Sequence, residues 1–313
     1  MAIFGGIEDK IERSFKVGSG GKLTLETDRG SIEVKAAEAD TVEVEIIRRV
    51  KAWDQEGADK ILEDFEIDFT QSGSDVHIRA GFKKDRDAFW KWVDGNRLQL
   101  HYMISVPTKY NLDLKTAGGS ISVGDLEGEV RSRTSGGSLS FGRVQGPVWG
   151  RTSGGSITLN GCSGKVDVET SGGSINIGET SGDVVAHTSG GSVRIGRTKG
   201  SVVAKTSGGS IAVEDAIGKV EAATSGGSVR ANISTQPESD CCLETSGGSV
   251  TVHLPDNIAV DVDAKTSGGS VKTEFPVTVQ GELSRSALMA KINGGGPKLL
   301  LRTSGGNIHL CKM

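Results

Sequence analysis

TSGGSITLNGCSGKVDVE, residues 152–169, is followed at Thr170 by the same TSGGS, and the reading of this unit decides the fold. The threonines Thr116, Thr134, Thr152, Thr170, Thr188, Thr206 and Thr224 stand 18 residues apart, Thr245 and Thr266 follow at spacings of 21, and Thr303 follows after 37. A degenerate copy, GKLTLETDRGSIEV, occupies residues 21–34, so the pattern brackets nearly the whole chain. Counted from the threonine, position 6 is Ile, Leu or Val (Ile121, Leu139, Ile157, Ile175, Val193, Ile211) and position 8 is mostly apolar. Position 13 is glycine from Gly128 to Gly218, and position 15 is valine from Val130 to Val220. Apolar residues alternating with polar ones over four or five positions mark a strand buried on one face, and each unit carries two of them.

Two short strands and two glycine turns in 18 residues make one coil of a β-solenoid. Positions 6, 8, 11, 15 and 17 and the threonine are expected to face inward, and positions 7, 16 and 18 to face solvent. One coil cannot bury its apolar face alone; its neighbours above and below supply the core and the backbone hydrogen bonds. At about 4.8 Å per rung, eleven such coils predict a rod on the order of 50 Å long. The glycine pairs Gly136 and Gly137, Gly154 and Gly155, Gly172 and Gly173, Gly190 and Gly191, and Gly208 and Gly209 are read as structural corners. Glycine accepts positive φ there and lets stacked corners approach. The rival reading of the corner is an anion-cradling nest of backbone N–H groups.

Between residues 34 and 110 the pattern lapses. ADTVEVEIIRRV alternates as a strand, DQEGADKILEDFEIDF begins as a helix and runs into a strand, and NRLQLHYMISVP reads as a further strand. This predicts an all-β chain: a β-solenoid with an N-terminal α+β cap, residues 1–110 holding the first coil and the cap, and residues 111–313 the repeat. An insertion near residues 274–300 closes or broadens the far end. The last coil, LLLRTSGGNIHLCKM, has no polar capping element after it, and an open edge there would support assembly of copies through the solenoid ends.

The cap loop FKKDRDAFWKWVDG holds Phe82, Phe89, Trp90 and Trp92 among Lys83, Lys84, Arg86 and Lys91. Rings of this size usually pack inside, with the charges as a solvated rim. The functional alternative places Phe89, Trp90, Lys91 and Trp92 on the surface as a contact for a protein or cell-envelope partner.

Composition narrows the function classes. Basic residues (36) nearly balance acidic ones (40), which gives no footing for nucleic acid. The four cysteines, Cys162, Cys241, Cys242 and Cys311, form no CxxC pair and read as structural thiols. The histidines of the repeat occupy different positions and cannot stack into a metal ladder. The outward position 16 reads Arg131, Trp149, Asp167, Val185, Val203 and Glu221, whereas a polysaccharide hydrolase would concentrate carboxylates in one groove. An ice-binding array would need an outward threonine column. Neither cofactor nor catalytic site is expected. Residues 1–20 lack the pattern of a signal peptide and no apolar run reaches the roughly 20 residues of a membrane helix, so the chain as written reads as cytoplasmic, or as a cell-surface protein if it is a mature or truncated form.

TSGGSI, the run SVPTKYNLDLKTAGGSISV that leads into the regular coils, and the ending AKINGGGPKLLLRTSGGNIHL together resemble the bacterial putative-adhesin family of β-strand-repeat proteins, a domain of unknown function. The resemblance spans nearly the full chain. It implies a solenoid-like β fold, no catalysis and, for some members, a link to the cell envelope; it supplies no catalytic residues.

Overall fold

In the computed structural model, residues 7–52, 55–83, 97–279 and 284–313 of the 313 are described. They fall into two compact units, Met1–Gly155 and Ser156–Met313.

The first unit has two sheets facing each other across a core of branched aliphatic side chains. One sheet runs in the order Ile7–Lys16, Thr41–Val50, Leu98–Pro107, Ser31–Ala37, Ile121–Val123 and Leu139–Gln145. The other runs Phe65–Ser72, Asp75–Phe82, Lys22–Thr27, Asn111–Thr116, Val130–Thr134 and Val148–Thr152. Coil neighbours pair in parallel and in register, as Leu112, Leu114 and Thr116 do with Val130, Ser132 and Thr134. The cap strands reverse direction: Ile7–Lys16 and Leu98–Pro107 both lie antiparallel to Thr41–Val50, and Phe65–Ser72 lies antiparallel to Asp75–Phe82. The helix Gln55–Glu63 buries Ala58 and Ile61, three residues apart on one face, with Glu56 in its first turn and Lys60 in its last. Two strands here go beyond the sequence reading, Ile7–Lys16 and Asp75–Phe82. The second has clean alternation, with Val76, Ile78, Ala80 and Phe82 buried.

The second unit repeats the coil. Strands Ile157–Cys162, Ile175–Thr180, Val193–Thr198, Ile211–Ala216, Val229–Ile233 and Val250–Leu254 form one ladder, and Val166–Thr170, Val184–Thr188, Val202–Thr206, Val220–Thr224 and Cys241–Thr245 form the other. The inward positions are as the alternation requires: in the coil that begins at Thr188, Thr188, Val193, Ile195, Thr198, Val202 and Ala204 are all at most 7 % exposed.

After the Thr245 coil, spatial order departs from chain order. Lys298–Thr303 pairs in parallel with Cys241–Thr245 on one side and with Val260–Thr266 on the other. Ile308–Lys312 lies between Val250–Leu254 and Val271–Thr273 in the same way. The coil at Thr303 is therefore interior, and the expectation that it forms an open end is corrected. The end is built by the Thr266 coil together with Ala287–Ile292, which lies antiparallel on the outer side of Val260–Thr266, and the short strand Thr278–Val279 beyond it. The physical reason lies in the insertion: its strand covers one edge of the Thr266 coil, so the chain must cross to the other edge to continue.

The INGGGP run makes that crossing. Residues 293–297 carry the chain from Ile292, paired with Val260, over the strand's end to Lys298, paired with Asp261. Asn293 turns with φ 48°, and its side-chain amide donates to the carbonyls of Asp256 and Ile258, each at 2.8 Å. Gly294 and Gly295 follow at φ 91° and 89°, and a Cβ on Gly295 would collide with the Asp261 carboxylate.

Candidate functional site

The TSGGS corner is explained by its hydrogen bonds. In the coil at Thr206, the hydroxyl donates to the Gly191 carbonyl of the preceding coil at 2.7 Å and accepts a long bond from its own Gly209 N–H at 3.4 Å. The same donation recurs at Thr188 to Gly173, Thr224 to Gly209, Thr245 to Gly227 and Thr303 to Gly248. The corner serines form a second ladder, with each N–H donating to the serine hydroxyl one coil back, as Ser192 to Ser174 and Ser210 to Ser192 do at 3.2 Å. The N–H of Gly208 goes to the Ser189 carbonyl and that of Ile211 to the Ser228 carbonyl, at 2.9 Å each. Four successive N–H groups of this corner, from Gly208 to Ile211, are thus engaged within the stack, and none is left to cradle an anion.

The glycines serve close approach rather than turn handedness. A Cβ on Gly137, Gly155, Gly191 or Gly209 would fall on the carbonyl oxygen of the equivalent glycine one coil back. Gly30 of the degenerate copy and Gly119 take left-handed φ, +107° and +137°, but the regular TSGGS corners described after them do not, and the expectation that the corners rest on positive φ is corrected to that extent. The first glycine of the early pairs is freer: a Cβ on Gly136 would meet open space and one on Gly154 would sit 3.2 Å from the Gly136 carbonyl, whereas on Gly208, Gly226 or Gly247 it would come to 2.8–2.9 Å of the carbonyl one coil back. The threonines are buried and face inward, so they form no outward array of the ice-binding kind.

Phe89, Trp90, Lys91 and Trp92 lie outside the described residues. The segment that carries them leaves the strand Asp75–Phe82 in one sheet and enters Leu98–Pro107 in the other. Phe82 is buried edge-on against Phe65, with ring centroids 5.1 Å apart.

From Leu98 the strand runs into a polar sheet face that sequence reasoning did not single out. Register places Lys10, Ile47, His101 and Ser31 in one row, Glu12, Glu45, Met103 and Glu33 in the next, and Ser14, Glu43, Ser105 and Lys35 in the third. A shallow concavity of about 560 Å³ lies over the last two rows. The directly opposed carboxylates of Glu12 and Glu45 share the Lys10 ammonium, at 2.6 and 3.1 Å, and these bonds, Glu12's first, push the lysine pKa up. Lys35 at 2.7 Å pulls the Glu33 carboxyl down, with a smaller push from His101. Lys10 and Glu33 are therefore held in their charged forms, each against an opposite charge. The face was not readable in the sequence, because Ile7–Lys16 does not announce itself as a strand and Thr41–Val50 sits between it and Leu98–Pro107.

The nearest approach to a nucleophilic relay lies in the first row. Ser31 Oγ is 2.6 Å from His101 Nδ1, but His101 Nε2 is 3.6 Å from Glu33, too long for a hydrogen bond. The Ile32 N–H beside the serine donates to the Ser120 carbonyl at 2.9 Å and is not free to stabilise an oxyanion. The pair acts as a cross-strand hydrogen bond.

In the second unit, His187, Lys205, Ala223, Glu244 and Arg302 succeed one another on consecutive rungs along one edge, and the small Ala223 leaves a polar trough of about 540 Å³. None of the four cysteines is in a disulfide; burial raises the pKa of all four, Cys242 to about 11. No group of three or more His, Cys, Asp or Glu able to hold a metal occurs among the described residues, and no helix among them is long and apolar enough to cross a membrane.

The Toastrack DUF4097 family profile matches residues 21–311. The chain belongs to this family. Solved structures similar to this Toastrack chain include a "putative cell adhesion protein" from Clostridium sporogenes ATCC 15579, 13 % identical, covering 99 % of this chain and 100 % of its own, with a TM-score of 0.25. A "putative adhesin" from Bacteroides fragilis NCTC 9343 is 14 % identical over 97 % of both chains, with a TM-score of 0.30. A "putative lipid binding protein" from Parabacteroides distasonis ATCC 8503 is 12 % identical over 96 % of both, with a TM-score of 0.33. No curated protein matches the sequence.

Proposed function

We propose that the protein is a non-catalytic, adhesin-like scaffold whose cap presents a contact for a protein or cell-envelope component. The observation that carries this reading is the corner chemistry: the repeated Thr, Ser and Gly groups are spent on joining coil to coil. That leaves recognition to the cap, where the charge-paired face of Lys10, Glu12, Glu33, Lys35 and Glu45 adjoins the strand entered from the aromatic segment. A shallow, mixed-charge face of this kind fits another macromolecule's surface better than a small substrate, which needs a deep pocket with few polar groups. On this reading residues 1–110 are the recognition cap, residues 111–313 are the solenoid, and Phe89, Trp90, Lys91 and Trp92 supply apolar and cationic anchors. The compartment is the cell envelope or a face apposed to it.

Cosedimentation of the full chain with isolated bacterial envelope tests the proposal. Saturable binding is expected, weakened at least tenfold by Glu33→Lys with Glu45→Lys or by Trp90→Ser with Trp92→Ser, at unchanged melting temperature. Binding no greater than that of an unrelated β-protein, or binding insensitive to both pairs, would overturn it.

A further inference from the structure

The interior position of the Thr303 coil leads to a proposal about how copies of this chain associate. Residues 298–312 fill a gap between the Thr245 coil and the Thr266 coil, which are consecutive in the chain but not in space. The segment contributes Leu299, Leu301, Ile308 and Leu310, all at most 2 % exposed, and completes both corner ladders. Thr303 donates to the Gly248 carbonyl at 2.6 Å, and Thr266 donates to the Gly306 carbonyl at 2.7 Å. Asn307 replaces the usual corner serine, accepting from the Ser270 N–H at 2.9 Å while its own N–H reaches Ser249 Oγ at 3.1 Å. The gap is thus matched to this one segment in its apolar side chains, hydrogen bonds and register.

The covalent tie to the preceding strand is a single turn. Residues 293–297 hold three glycines, and Asn293 is the one non-glycine residue with positive φ among those described. Extended, five residues span about 17 Å. Such a turn can open and let the segment leave with every contact except the turn's own available again in an identical gap, the condition under which elements are exchanged between copies.

We propose that residues 298–312 act as an exchangeable coil: the gap between the Thr245 and Thr266 coils is a binding site for this segment of a second copy of the chain. This deepens the scaffold reading by giving it a route to assembly through its own interior coil rather than through a bare sheet edge.

Two full-length proteins test the exchange. Cys242 and Leu300 are register partners on adjacent strands, within disulfide reach. A control chain carrying Leu300→Cys with native Cys242 is expected to form an intramolecular bond between position 300 and Cys242 on oxidation with copper phenanthroline. For the exchange itself, a chain carrying Leu300→Cys and Cys242→Ser is mixed with the wild-type chain, incubated and oxidised. A covalent heterodimer mapped by mass spectrometry to position 300 of one chain and Cys242 of the other is expected, growing with incubation time. Adding Gly295→Ala to the donor chain, which strains the closed turn, is expected to speed its formation several-fold. Absence of that heterodimer while the control closes would overturn the proposal, and failure of the control to close would overturn it by removing the gap. Envelope cosedimentation of the unmixed wild-type chain is independent of both results, so failure here and failure of the scaffold reading are distinguishable.

Discussion

Thr206 and Thr198 are both buried threonines in neighbouring coils of the same unit, and they should answer the same substitution in opposite ways. The Thr206 hydroxyl joins two coils through Gly191 and Gly209, so Thr206→Val strands two backbone groups and is expected to cost about 1–2 kcal/mol in denaturant unfolding. The Thr198 hydroxyl is wholly buried with no hydrogen-bond partner among the described residues, so Thr198→Val removes an unpaid desolvation and is expected to be neutral or stabilising by up to about 1 kcal/mol. The corner glycines divide similarly. Gly137→Ala forces a methyl onto the Gly119 carbonyl, whereas Gly136→Ala points one into open space, so the first should be the less stable by about 2 kcal/mol or more. At this scale the sequence told which residues face inward, because alternation reports that directly. It could not tell that the second glycine of each pair is the indispensable one, because that depends on the distance between stacked carbonyls.

The inserted strand Lys298–Thr303 is tied to Val260–Thr266 by Asp263, which pairs with Arg302 at 2.7 Å and Lys298 at 3.3 Å. Burial alone would raise the Asp263 pKa, but these two cations outweigh it and hold the carboxyl below its usual value. Since the folded value lies below the unfolded one, the stabilisation is fully present above about pH 4 and is lost as pH falls through the folded pKa. Melting curves should therefore separate wild type from Asp263→Asn at pH 7 and bring them together toward pH 3. Of the elements, the helix Gln55–Glu63 and the strands Thr41–Val50 and Leu98–Pro107 were legible from periodicity. The strand Ile7–Lys16 was not, since its inward face mixes Asp9 and Arg13 with Ile7, Ile11 and Phe15. Asp9 is accommodated there by Arg48, whose Nε–H and Nη2–H both donate to Asp9 Oδ2, a pairing visible only once the strands are placed side by side.

For the molecule as a whole, the repeat announces the solenoid, but the order of its coils follows from the insertion. The insertion near residues 274–300 was expected to close or broaden the far end; in space it closes one edge and redirects the chain, through Asn293 and its glycines, into the gap that the Thr303 coil fills. The polar face of the cap was hidden for a related reason, because its four strands lie in the spatial order Ile7–Lys16, Thr41–Val50, Leu98–Pro107 and Ser31–Ala37, which is not their order in the chain. The corner chemistry spends the repeated Thr and Ser hydroxyls on joining one coil to the next. The account depends most on the interior coil, and amide hydrogen exchange followed by mass spectrometry tests it without altering the chain. Peptides covering Lys298–Thr303 and Ile308–Lys312 are predicted to exchange far more slowly than those of an open sheet edge, since both ladders flank them. Exchange as fast as at an open sheet edge, with Val260–Thr266 protected against the Thr245 coil instead, would contradict it.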